Sequence, residues 1–152
     1  MAFANTDRAI ILVYVERLDV GRFGTRTAGA GGFINISQNA REVLYLDTFT
    51  SGGLQVGCRD GELHIVKQGN TAKFFELVGH PTFSGKYALR RGQRILNITE
   101  RAVFELDGGV LRLIEIAPGI DLGRYILSKW PSHHASRRRF RPWIPGRSAT
   151  RR

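Results

Sequence analysis

Two turn signals constrain this chain more than any other feature of its sequence. Leu54-Gln55-Val56-Gly57-Cys58 alternates up to Asp60-Gly61, and Leu63-His64-Ile65-Val66 returns. Ala102-Val103-Phe104-Glu105-Leu106 likewise runs into Asp107-Gly108-Gly109 and returns as Val110-Leu111-Arg112-Leu113-Ile114-Glu115-Ile116. Asp-Gly and Gly-Gly accept the positive φ that a two-residue hairpin turn requires, so each signal predicts a pair of antiparallel strands. Residues 10–15, Glu42–Leu46, 73–78 and 94–99 also read as strands, and Val43-Leu44-Tyr45-Leu46 has the bias of a buried one. Residues 33–37 form a short apolar segment, and residues 82–87, after Pro81, read as loop. Pro118 and Gly119 break the pattern, after which Asp121 is placed to cap a short helix reaching Leu127. The expectation is a strand-rich fold with few helices.

A chain of 152 residues suits one domain with its own core. Its longest useful apolar run, residues 10–15, covers six positions where a membrane span needs about 20. Asp7 and Arg8 precede that run and no small-residue cleavage site follows, so neither a membrane span nor secretion is expected. Cys58 is the single cysteine. It excludes an internal disulfide and fits a reducing, cytoplasmic setting.

The net charge of +10 is unevenly placed. Eight basic residues and no acidic one follow Ser128, whereas residues 1–128 hold fifteen basic side chains against all thirteen acidic ones. The body is close to neutral, and the charge says little about what it binds. Three segments result: a divergent N-terminal piece over 1–20, a body over 21–128, and a basic tail over 129–152 expected to be disordered. Phe140 and Trp143 could stack on bases, but no recognisable nucleic-acid fold precedes them. Nucleic acid is therefore the alternative partner and not the expected one.

The glycine-dense stretch over 21–32 is the region that could carry chemistry on its own. A P-loop requires Gly-Lys-Ser/Thr after four residues, and Gly24 and Gly29 have the spacing but Ala30-Gly31 follow. A dinucleotide fingerprint from Gly29 and Gly31 meets Ile34 where Gly or Ala is needed. What remains is a stretch whose main-chain N–H groups could approach a phosphate or an oxyanion, or simply a structural turn. His133-His134 lie adjacent with no Cys or carboxylate near, and His64 and His80 are isolated, so no metal is expected.

Arg22-Phe23-Gly24, followed by Ala28-Gly29-Ala30-Gly31-Gly32-Phe33-Ile34-Asn35-Ile36-Ser37-Gln38-Asn39-Ala40, resembles the glycine-rich signature of family I CoA-transferases of the acetate/propionate/3-oxoacid type. The resemblance continues through Thr48-Phe49-Thr50, Gly52-Gly53-Leu54 and Thr82-Phe83-Ser84-Gly85. It takes in Thr99-Glu100-Arg101-Ala102-Val103-Phe104-Glu105-Leu106 and closes at Ile116-Ala117-Pro118-Gly119-Ile120-Asp121-Leu122. It implies an α/β fold, the strand-rich C-terminal portion of a three-layer open domain, incomplete here. It implies transfer of CoA between a short-chain acyl-CoA and acetate or a 3-oxoacid, in short-chain fatty acid or ketone body metabolism. CoA would be a substrate, with no further cofactor, and the family implies a homo-oligomer.

By the same resemblance, the nucleophilic glutamate sits in a Glu-x-Gly-type motif upstream of the glycine signature. Glu16 is the only glutamate before it here and Arg17-Leu18-Asp19 follow, so no catalytic residue is assigned to this chain. Gly29, Gly31, Gly32 and Phe33 are assigned to the CoA and oxyanion side. The chain alone is then expected to be inactive, its partner being the missing N-terminal half. A non-enzymatic remnant and a basic nucleic-acid-binding protein acting through 129–152 are the alternatives.

Overall fold

A computed structural model describes residues 8–12, 22–23, 26–27, 30–74, 84–130 and 141–142. Strand β1 (Arg8–Leu12) is followed by a small ribbon of β2 (Arg22–Phe23) and β3 (Arg26–Thr27), helix α1 (Ala30–Asn39) and β4 (Glu42–Leu46). Next come β5 (Thr50–Ser51), β6 (Gln55–Arg59), β7 (Glu62–Lys67) and β8 (Thr71–Ala72), then α2 (Gly85–Arg90), β9 (Arg94–Ile98), β10 (Ala102–Asp107) and β11 (Val110–Ile116). Helix α3 (Leu122–Tyr125), a 3₁₀ turn (Leu127–Lys129) and β12 (Arg141–Pro142) complete the described elements.

Both turn signals produce the hairpins they predict. Asp60 and Gly61 stand at φ 53° and 80° between β6 and β7, and Gly108 and Gly109 at 59° and 89° between β10 and β11. The second hairpin joins the main sheet, whose order is β1-β4-β9-β10-β11-β12. The β1, β4 and β9 strands are parallel, β9-β10-β11 antiparallel, and β12 parallel to β11. The first hairpin stands apart as its own two-stranded ribbon.

The core fills from alternate strand positions, as the period-2 pleat dictates. Val43 and Tyr45 of β4 and Ile95 of β9 pack with Ala40, which follows α1, and Ala88 of α2. Phe49, Ala102, Phe104, Leu113, Ile126 and Trp130 form the second cluster, with Phe74 packed against it. The Phe104 ring lies 4.9 Å from Trp130, edge to face, and 5.0 Å from Phe74, separations at which aromatic quadrupoles attract. Trp130 is 1% exposed, so the packed body runs past the boundary expected at 128. Arg141–Pro142, inside the basic tail, pair with Glu115 and Ile116.

Three elements depart from the sequence expectation. Residues 30–39, read as the end of a glycine loop and a short apolar segment, form a helix. Ser37 and Ala40 face inward while Asn35, Ile36 and Asn39 face out, a period near three that tertiary packing reinforces against glycine's poor helix propensity. Residues 85–90, read as loop, form α2 because the Ser84 hydroxyl accepts from the Tyr87 N–H at 3.3 Å and caps the helix. Lys73 and Phe74, at the start of an expected strand, follow the two-residue β8, and 75–83 fall outside the described residues. The Asp121 cap is as expected: its carboxylate accepts from Arg124 N–H at 2.6 Å at the start of α3.

Candidate functional site

In open α/β sheets, ligands sit at the carboxyl ends of parallel strands, where loops leave the sheet and helices return. The β4 and β9 strands are parallel and in register from Glu42↔Arg94 to Leu46↔Ile98, so the loops leaving both emerge on one edge. The first is Asp47-Thr48-Phe49, the second Thr99-Glu100-Arg101.

Helix α1 brings its start to that same edge. It lies in the chain between β1 and β4, which pair in parallel, and feeds β4 through Ala40 and Arg41, so the helix climbs the sheet opposite to the strands. Ten helical residues rise about 15 Å, close to the ~16 Å of a five-residue strand. The N-terminus of α1 therefore stands level with the carboxyl end of β4. Its lower end is pinned by Gln93, whose side-chain amide donates to the carbonyls of Ser37 at 2.9 Å and Ala40 at 2.5 Å. Burial pushes the Tyr45 phenol well above its ordinary range, the Ser37 hydroxyl opposing in part, so it stays neutral in the core.

Of the residues assigned from sequence, Gly31, Gly32 and Phe33 fall in the first turn of α1, and Gly29 lies outside the described residues. The first four N–H groups of a helix have no intrahelical acceptor and carry the positive end of its dipole. Glycine at 31 and 32 leaves those donors without flanking Cβ atoms. The assigned residues thus come together as a row of main-chain donors, a helix start in place of a loop.

The sequence reading missed the side chains that tie this edge together. Arg101 is 0% exposed. Its Nε donates to Glu100 Oε1 at 2.5 Å, and one terminal nitrogen donates to Gln68 Oε1 at 3.0 Å and the Tyr125 carbonyl at 3.2 Å. The guanidinium lies 5.0 Å from the centre of the Phe49 ring, and among the described residues its other terminal nitrogen has no acceptor. The second Glu100 oxygen accepts from Phe49 N–H at 2.7 Å, joining the loops after β4 and β9. Beside them the buried ammonium of Lys73 pairs with Asp47 and donates to the Thr48 hydroxyl at 3.0 Å. Adjacent charges at the ends of apolar strands were the available signal. Both Glu100 oxygens are engaged, so its carboxylate is a structural tie and not a free nucleophile.

Glu16, His80, His133 and His134 lie outside the described residues, and His64 is exposed on β7. Among the described residues, no group of three or more potential metal ligands converges, and no helix is long and apolar enough to cross a membrane.

At this parallel α/β edge a helix start with glycines in its first turn stands level with the two strand-end loops. Comparison with known proteins gives the chain a family. No family model matches the chain. It is 46% identical over 129 residues to acetate CoA-transferase YdiF of Escherichia coli strain K12, a match covering 85% of this chain and 23% of that protein. It is 44% identical over 117 residues to caffeate CoA-transferase of Acetobacterium woodii, covering 77% of this chain and 22% of the relative. The apoenzyme structure of YdiF, an acyl-CoA transferase from E. coli O157:H7, superposes with a TM-score of 0.83 at 37% identity, over 91% of this chain and 28% of that one. A thioester complex of the same protein with CoA superposes with a TM-score of 0.82. The chain therefore carries a partial region of the CoA-transferase family, spanning about a quarter of the length of these relatives.

Proposed function

We propose that this chain is the oxyanion-holding part of a CoA-transferase that moves CoA between a short-chain acyl-CoA and acetate or a 3-oxoacid. The attacking glutamate belongs to a segment outside this chain. Its carboxylate adds to the thioester carbonyl, and the tetrahedral adduct places a full charge on the former carbonyl oxygen. Collapse expels CoA thiolate and leaves a mixed anhydride. The thiolate then attacks the glutamyl carbonyl, releases the first carboxylate and forms a glutamyl–CoA thioester. The acceptor carboxylate reverses both steps.

Each addition needs N–H donors fixed in advance at the oxyanion, and each such donor lowers the barrier by about 3 kcal/mol. The free amides of Gly31, Gly32 and Phe33 supply donors of this kind, and the absent Cβ atoms leave room for the acyl group. The Glu100–Phe49 and Arg101–Gln68 bonds hold the opposite loops. The observation that carries this reading is the shared edge: the α1 start lies level with the carboxyl ends of β4 and β9. The thioester complex formed by YdiF supports it.

The setting proposed is cytoplasmic, in a homo-oligomeric enzyme of short-chain fatty acid or ketone body metabolism. The test mixes this chain with the part of YdiF that the match leaves uncovered and follows CoA passing from acetyl-CoA to a short-chain carboxylate. Transfer is expected from the mixture and from neither part alone. A folded complex that transfers no CoA refutes the proposal and leaves a non-enzymatic remnant.

A further inference from the structure

The two ends of the main sheet differ in kind. Strand β12 closes one end with two residues, Arg141 and Pro142. Short length, a charge and a proline are the devices by which exposed edges avoid pairing with other chains. The other end is β1, and after Arg8 it reads Ala9-Ile10-Ile11-Leu12 with no proline and no further charge. A run apolar at consecutive positions is apolar on both faces, the pattern of a strand inside a parallel sheet. The parallel strands β4 and β9, which do lie inside, are more polar: Glu42-Val43-Leu44-Tyr45-Leu46 and Arg94-Ile95-Leu96-Asn97-Ile98. The most apolar of these strands thus stands at the edge, and among the described residues it pairs with β4 alone.

A row of charge points the same way. Arg8 is in register with Glu42, and Glu42 with Arg94. The Arg94 guanidinium joins Glu42 at 2.7 Å and Glu105 of β10 at 2.9 Å, and the Glu105 hydrogen bond leads in raising its pKa. Among the described residues the row alternates in sign across three strands and ends at Arg8. A second copy of this chain completes it poorly. Twofold pairing of β1 with itself sets Arg8 against an apolar residue, Leu12 when centred on Ile10, or against another Arg8.

We infer that the outer edge of β1 is a strand-pairing surface for the remainder of a CoA-transferase, taking a strand apolar on both faces with an acidic residue opposite Arg8. This rests on the reading above, since the relatives are about four times the length of the region they share with this chain. The partner is thereby given a place on the fold.

The experiment combines the full 152-residue chain with the uncovered part of YdiF and reads association separately from CoA transfer. Light scattering on the eluted complex is expected to give a mass that fits equal numbers of the two parts. Hydrogen exchange of the Ala9–Leu12 amides is expected to slow at least roughly tenfold on complex formation. Arg8→Glu puts like charge opposite the proposed acid and is expected to weaken association roughly tenfold. Arg8→Lys is expected to retain it. Circular dichroism of both variants, matched to the parent chain, separates lost pairing from lost fold. Absence of a complex, unchanged β1 exchange within one, or a homodimer of this chain protected at the same amides overturns the inference. A complex that protects β1 but transfers no CoA leaves the edge standing and removes the enzymatic reading. Transfer with β1 unprotected does the reverse.

Discussion

Glu100→Ala tests the physical account of the candidate site most severely among the stability perturbations. The Glu100 carboxylate makes two short bonds, 2.7 Å from Phe49 N–H and 2.5 Å to Arg101 Nε, and a bond to a charged group contributes about 1.5–3 kcal/mol. Its loss also strands the guanidinium of Arg101, which is 0% exposed and whose other acceptors are the neutral Gln68 and Tyr125 oxygens. Removing one partner of a buried pair costs about 3–5 kcal/mol, because a charge is left without its counterion. The two bonds and the stranded charge are not additive, so the expected loss is about 3–5 kcal/mol in total.

Glu100→Gln keeps the side-chain oxygen but not the charge and should cost about half as much. Adding Arg101→Met to Glu100→Ala removes the stranded charge while keeping an apolar stem against Phe49, and should recover at least about 1.5 kcal/mol. Urea unfolding followed by the fluorescence of the core residue Trp130 measures these proteins together with Arg101→Met alone, and hydrogen exchange at the Phe49 amide reports the lost tie locally. A cost below about 1 kcal/mol for Glu100→Ala, or additivity within ~0.5 kcal/mol in the double variant, would contradict a buried ion pair joining the two loops.

Three other outcomes follow from the same structure. Unfolding exposes the Tyr45 phenol, whose pKa is raised by burial in the fold, so stability is full below about pH 10 and falls as pH rises past it; Tyr45→Phe should flatten that slope in urea midpoints taken from pH 8 to 11. Phe104→Ala should cost about 3–5 kcal/mol in the same unfolding assay, because its 0% exposed ring contacts both Phe74 and Trp130. Gly119→Ala should destabilise the loop that docks the β6–β7 ribbon, since Gly119 sits at φ 83° and a Cβ there would lie 2.8 Å from the Leu63 carbonyl oxygen; faster exchange of the Leu63 amide, bonded to the Pro118 carbonyl at 2.8 Å, reads it out.

Local chemistry made the strands legible. Asp60-Gly61 and Gly108-Gly109 fix their turns through backbone φ alone, and Asp121 caps α3 through its own side chain, so neither depends on distant contacts. Helix α1 was hidden because glycines at 31 and 32 argue against a helix that Ser37 and Ala40 secure by burial against the sheet. The candidate site was legible in part. Gly31, Gly32 and Phe33 could be chosen through a family resemblance, but that they form a helix start level with two strand ends follows only from the sheet order. The Glu100–Phe49 tie spans 51 residues and the Arg101–Gln68 bond 33, distances over which periodicity carries no information.

The central claim is that the first-turn amides of α1 serve the reacting acyl group, and Gly31→Val in the complex reconstituted with the remainder of YdiF tests it most directly. Valine crowds the donors without removing them, so the account predicts a fall of about 10²-fold in kcat, with a much smaller change in KM for acyl-CoA. Turnover equal to that of the parent complex, in a variant that still folds and assembles, would contradict it.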